Sequence, residues 1–403
     1  MHDVRARLRG ARMSSNKPVR VLQSVGIMNH GGIEHFLMNL YRRVDKDVVQ
    51  FDFVERVDSP AVFDDEIRDL GGRIYRFASP DKHPIRAMRF YQKLFSEHSE
   101  YKVLHEHRAS LLGFMGCLTT ASRMHVPTRI VHAHSSGPVR SGLDRRMEIA
   151  TDAVNKRRLK NLATDYFACS DAARRWMFPA SSGVAEKALI VPNGIEAVQF
   201  RYCLSDRIGV RSELGIPHDA FVVGHVGRFD PVKNHAFLLD MLASFSREQR
   251  PYLLLVGDGG LRGAVHDKVR SLNLDGSVIA VGLQDEVWRY YSAMDVLCMP
   301  SLHEGLPVSA IEAQASGLPL LLSDGIPADA ALSGNVEFRS LVDGPSVWAD
   351  AIMSLGEKTA SLDRVQAGSC VAKSGFDIKE TAERLQAFYV ARSSHFPEGG
   401  KEL

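Results

Sequence analysis

Short apolar blocks alternate with stretches of helical period along almost the whole chain, and that alternation predicts the fold. The blocks Val19–Gly26, Gln50–Val54, Arg73–Phe77, Val103–His107, Arg129–His134, Tyr166–Ser170 and Leu189–Pro192 read as strands. Amphipathic segments such as Ile85–Ser96 fill the gaps as helices. Residues 196–220 are polar and irregular, a linker leading into a helix. The pattern then restarts with Phe221–Gly227, Tyr252–Gly257, Val278–Gly282, Val296–Met299 and Leu318–Ser323. Repeated strand–helix units predict parallel sheets covered on both faces. The chain therefore reads as α/β, with doubly wound domains at residues 19–195 and 196–375. Residues 376–392 form a closing helix with Ile378, Leu385 and Phe388 on one side.

The stretch Ser301–Asp324 carries the densest chemical signal. A strand over Asp295–Pro300 runs into it and another leaves it. Pro307 suits the first helical position and Gly317 the stop. Glu304 falls just before this helix and Glu312 about one turn inside it. The free amides and positive dipole end of the helix start point the same way. The arrangement suits a ligand with hydroxyls at two ends and an anion between, as in a nucleoside diphosphate sugar. Two glutamates so spaced are also common on a solvated helix face, so the pair alone does not decide.

Composition narrows the class. Of 403 residues, 45% are apolar and 24% charged, which are globular values. No apolar run approaches the length of a membrane span, and no secretory signal is visible. Five scattered cysteines without a C-x-x-C predict reduced thiols in a cytosol. Charge is uneven. Residues 1–195 hold 31 Lys and Arg against 21 Asp and Glu, whereas the rest holds 19 against 27. A basic half predicts a face for something anionic, and a membrane leaflet or lipid phosphate fits better than nucleic acid. The segment Asp144–Lys160 concentrates this charge on one helix, as a solvated face or a membrane-surface contact. Residues 1–18, with Arg5, Arg7, Arg9 and Arg12, read as a disordered tail, with Met13 an equal candidate start. Residues 393–403 read as a second loose tail.

Further candidates sit at strand ends, where parallel sheets bind ligands. Gly31 and Gly32 follow the first strand and open a helix, a weak phosphate-loop signal whose plain alternative is a tight turn. His107 and His134 each end an H-x-H string. A satisfied structural histidine is the competing reading for each. Neither string has a carboxylate or cysteine at useful spacing, so no metal is expected there. Asp45-Lys46-Asp47 follows a helix end and reads as a turn. Arg228 and Lys233 flank a turn after a strand and could converge on one anion, although exposed cation pairs are usually just solvated. Gly257-Asp258-Gly259-Gly260 reads as a structural turn.

The string E-G-L-P-x-x-x-x-E from Glu304 to Glu312, closed by A-x-A-S-G-x-P, resembles the signature of glycosyltransferase family 4. G-R-x-x-x-x-K-N at Gly227–Asn234, P-N-G-I at Pro192–Ile195 and GGIEHFLMNLYR from Gly31 extend the resemblance over almost all of residues 19–392. The last string is most similar to the exopolysaccharide and capsule branch. The resemblance implies a retaining hexosyltransferase of the GT-B fold, with two Rossmann-like domains facing across a cleft and the final helix crossing back to the first. It implies that Arg228 and Lys233 bind the donor diphosphate, that Glu304 and His107 lie near the donor hexose, and that Glu312 holds the ribose. Gly31, Gly32, His134, Gly305 and Leu306 would line the donor site. Gly282 and Leu283 would meet the base through backbone, and Asn193 and Gly194 would form the hinge. The expected partners are a nucleotide sugar, with UDP ahead of GDP, a lipid-linked saccharide, and an anionic membrane at the inner face of the plasma membrane. No metal or other cofactor is expected. A metal-independent sugar-nucleotide epimerase and a non-catalytic nucleotide-sugar-binding subunit are the alternatives.

Overall fold

The computed structural model describes residues 17–111, 115–137 and 142–394. Of the expected tails at residues 1–18 and 393–403, residues 1–16 and 395–403 lie outside the described residues, and the final helix runs on through Ser394. The chain divides into two compact units, one of residues up to Gly194 together with Ile378 onward, the other of Ile195–Asp377.

In the first unit seven parallel strands form one sheet: β1 (Val19–Val25), β2 (Val49–Glu55), β3 (Ile74–Arg76), β4 (Val103–Arg108), β5 (Thr128–Ala133), β6 (Asp165–Ala168) and β7 (Leu189–Ile190). Their order is β3-β2-β1-β4-β5-β6-β7. Every residue of β2 is buried, as expected for a strand covered on both faces. One layer packs Leu104, Val131 and Ala168 against the helices Pro84–Glu97 and Gly116–Arg123. The opposite layer packs Val21, Phe51, Ile130 and Phe167 against the helices Gly32–Arg43 and Ile378–Ser394. The C-terminal helix contributes Ile378, Ala382, Leu385 and Tyr389 to that core. Phe388, expected to be buried, is only partly so, and Tyr389 takes the buried place.

The second unit repeats the plan with β8 (Val222–Val226), β9 (Tyr252–Val256), β10 (Val278–Gly282), β11 (Val296–Met299), β12 (Leu320–Ser323) and β13 (Val336–Arg339) in the order β10-β9-β8-β11-β12-β13. β13 has no counterpart in the sequence reading. Its V-E-F-R string is half buried and too short to show a period. The helices Pro345–Thr359 and Arg364–Lys373 were likewise not anticipated. In each sheet the strand order reverses beside the first strand of the unit, between β1 and β4 and between β8 and β11. Ligands of open parallel sheets bind outside the strand ends at such switch points.

Candidate active site

In the second unit the switch point is built from two loops laced by backbone bonds. After β8, the Gly227 amide donates to Val256 O at 3.0 Å and the Phe229 amide to Asp258 O at 3.0 Å. Asp230 accepts from the Lys233 amide at 3.1 Å and caps the single turn Pro231–Lys233. The loop after β11 is tied to this turn by Leu302 N to Val232 O at 2.8 Å and Asn234 Nδ2 to Pro300 O at 3.2 Å. Gly257 lets the Gly257–Gly260 turn brace the same backbone. Its φ is +134°, and a Cβ there would stand 2.1 Å from Gly227 O. The turn therefore supports the site, in line with its structural reading.

These loops bring Lys233 and Glu304 together. Nζ donates to Oε1 at 2.7 Å, with the two side chains only 16% and 14% exposed. Arg228, on the same turn, is exposed. The helix over Val308–Ala315 has Pro307 as its cap, one residue outside the expected start, with no side chain bonded to its first amides. Glu312 is half-buried within it, with its carboxyl turned away from solvent. Burial pushes its carboxyl up to about 7, against the lowering effects of the Tyr291 hydroxyl and the Lys233 charge. Tyr291 OH donates to Glu312 Oε2 at 2.7 Å. Lys233 thus acts on both glutamates. Gly305 and the buried Leu306 continue the loop, and Gly282 ends β10 with φ +74° beside an exposed Leu283.

In the first unit, Gly31 caps the helix Gly32–Arg43 in an extended conformation. A Cβ on Gly31 would come within 2.2 Å of Glu34 Oε2, so the missing side chain lets that carboxylate lie over the helix start. Gly32 borders open space. His107 and His134 lie together, Nδ1 to Nε2 at 2.9 Å, and His107 Nε2 meets Gln23 Oε1 at 2.9 Å. Burial lowers the His134 imidazole to about 3, with the side chain of Asn193 opposing. Asn193 is buried, and Gly194 ends the unit. Asp47 N donates to Asp45 Oδ1 at 3.0 Å, which makes Asp45–Asp47 a turn closed on itself.

Sequence reasoning missed Tyr291, which carries no motif and meets Glu312 only through folding. It also treated the two H-x-H strings separately. Adjacent strands bring His105 and His132 into the same cluster as His107 and His134. The repeat of H-x-H on two neighbouring predicted strands was the available signal.

A fold of two parallel-sheet units with paired charges at the second switch point is the GT-B architecture of glycosyltransferases. The family "Glycosyl transferase 4-like domain" matches residues 31–194 and "Glycosyl transferases group 1" matches residues 206–365. The chain is 37% identical over 338 residues to the putative glycosyltransferase EpsF of Bacillus subtilis, covering 83% of this chain and 86% of that one. It is 29% identical over 143 residues to an Escherichia coli UDP-Gal:alpha-D-GlcNAc-diphosphoundecaprenol alpha-1,3-galactosyltransferase, covering 34% and 37% of the two chains. Alr3699/HepE of Anabaena, solved in complex with UDP, superposes with a TM-score of 0.73 at 19% identity, over 91% of this chain and 98% of that one. The chain belongs to the GT-B glycosyltransferases.

Proposed function

We propose that this chain is a retaining, family 4 hexosyltransferase that moves a sugar from a UDP-linked donor to a lipid-linked saccharide in exopolysaccharide or capsule assembly. The observation that carries the reading is the 2.7 Å Lys233–Glu304 pair beside the exposed Arg228 at the second switch point. As the glycosidic bond breaks, negative charge grows on the β-phosphate. Fixed cations there lower the barrier because they need no reorganisation. Arg228 and Lys233 take that role. Glu304, held by Lys233, orients the hexose, and Glu312 accepts from the ribose hydroxyls. The family resemblance assigns His107 to the hexose and Gly31, Gly32, His134, Gly305 and Leu306 to the donor. Gly282 and Leu283 meet the base, and Asn193 and Gly194 serve as the hinge. The acceptor proton passes to the departing phosphate, so the reaction requires neither a separate base nor a metal.

The likeness to EpsF supports a role in polysaccharide assembly, and the E. coli relative's diphosphoundecaprenol substrate supports a lipid-linked acceptor. Among the described residues no helix is long and apolar enough to cross a membrane. Reaching such an acceptor then requires contact at the membrane surface. Ile149 and Val154 are exposed on the basic helix Gly142–Leu162 and suit that contact. Binding to anionic vesicles should be present at low salt and fade as ionic strength rises. Indifference to such vesicles at low salt would remove the membrane part of the proposal.

The deciding experiment is a donor screen in EDTA with UDP-glucose, UDP-galactose, UDP-N-acetylglucosamine and GDP-mannose, with and without a polyprenyl-diphosphate saccharide. One UDP-sugar should release UDP and extend the acceptor with the anomeric configuration retained. Conversion of a donor to its epimer without acceptor would replace this reading with an epimerase, and the absence of turnover with all four would overturn the donor assignment.

A further inference from the structure

We propose that His105, His107 and His132 form a binding site for a late first-row divalent cation, with Zn2+ the type. β4 and β5 run parallel with His107 opposite His132. The two-residue period of a strand puts His105, His107 and His132 on one face of the sheet. All three imidazoles are 0–1% exposed. One nitrogen from each lies within 4.8 Å of the others. Phe36, Phe167 and Tyr389 wall the cluster with aromatic rings.

The hydrogen bonds leave the cluster incomplete. His132 Nε2 lies 3.3 Å from Val191 O, which can only accept, so Nε2 carries the proton and Nδ1 is a bare lone pair. That Nδ1 has no partner, and neither does His105 Nε2. A buried polar atom left without a partner is costly, and here two occur in one cluster. A cation bound between them would satisfy both. His105 Nδ1 meets Tyr389 OH at 2.7 Å. Together with Val191 O, this supplies the outer partners that fix ring orientation in metal-bound histidines. His107 has both nitrogens engaged, so it joins by exchanging its bond to His134 or to Gln23 for the cation.

The ligand set selects the cation. Three neutral imidazoles suit Zn2+, Cu2+ or Ni2+ and not Mg2+ or Ca2+, which require oxygen. Metal–nitrogen bonds of about 2.0–2.1 Å require tetrahedral nitrogens about 3.4 Å apart. The nitrogens, now within 4.8 Å of one another, close to that spacing when the cation binds. Three ligands leave a fourth position for water or an anion. If His107 also serves the donor hexose, bound metal inhibits transfer. That consequence rests on the proposed function, whereas the binding does not.

The test uses the full chain, free of affinity tags and stripped with a chelator, titrated with Co2+ alone and then Zn2+. One equivalent of Co2+ should give the visible d–d absorption of a tetrahedral nitrogen site, Zn2+ should bleach it, and Zn2+ but not Mg2+ should raise the melting temperature. Tyr389→Phe should weaken binding about 10–100-fold, the usual loss for an outer partner. His132→Asn should abolish it, and the exposed His83→Gln should leave it unchanged. Absence of the absorption band in the wild-type chain would overturn the proposal whatever the variants do. So would a band that His132→Asn leaves intact.

Discussion

At the scale of single residues, the second-unit site depends on groups that influence one another. Lys233 pairs with Glu304 and also lowers the affinity of Glu312 for its proton. Lys233→Ala should reduce turnover about 10²–10³-fold, the usual cost of one preorganised donor at a developing negative charge. A loss within about threefold, against that range, would show that the lysine does not meet the leaving group. Glu312 predicts a pH effect. Its carboxyl is raised from 4.5 to about 7, so the folded chain holds a proton that the unfolded chain releases. Its contribution to stability is therefore complete below about 4.5 and is lost as pH climbs to about 7. Chemical denaturation of wild type and Glu312→Gln across this range should show a decline in the first that is absent from the second. Tyr291→Phe removes the hydroxyl that favours the carboxylate. It should move the pH dependence of the donor KM upward, with kcat at high pH little changed. Lys233, Glu304 and Glu312 were legible as candidates because their spacings are informative. Their mutual contacts were not, because 71 positions separate the ion pair.

At the scale of elements, glycine geometry holds the turn that carries Arg228 and Lys233. Gly257→Ala would force a side chain into a left-handed backbone against Gly227 O. It should cost at least about 1–3 kcal/mol of stability, read by denaturant melting, and disturb donor binding more than its distance from Lys233 would suggest. Hydrophobic periodicity made most strands and helices legible, since β9 is a near-continuous apolar run and β2 alternates Val49, Phe51 and Phe53 with polar residues. It failed where an element is short and half buried. The E and R of β13 alternate with V and F over only four residues, which any loop could show. It also failed for pairings between elements. The H-x-H strings on β4 and β5 gain meaning only from the register that sets His107 opposite His132. The side chain that closes the cluster, Tyr389, comes from a helix 284 positions after His105.

At the scale of the whole molecule, the second unit is an insertion between the body of the first and that unit's last helix. Leu385 lies in the core beneath that helix, so Leu385→Ala should cost about 2–5 kcal/mol, all of it from the first unit. Calorimetry should show the transition of the first unit shift while the other stays, and a shift in both would mean that the two units melt together. The same arrangement affects synthesis. Roughly 200 residues separate Gly194 from the end of the final helix, which at about 5–20 residues per second is about 10–40 s of translation. For that interval the face of β1, β2 and β4 that awaits Ile378 and Tyr389 is bare on the ribosome. A message cut short before the codons of Ile378–Ser394 would release one finished half tethered to one that cannot close. Chaperone demand and expression yield should therefore follow how readily the codons of Ile378–Ser394 are translated.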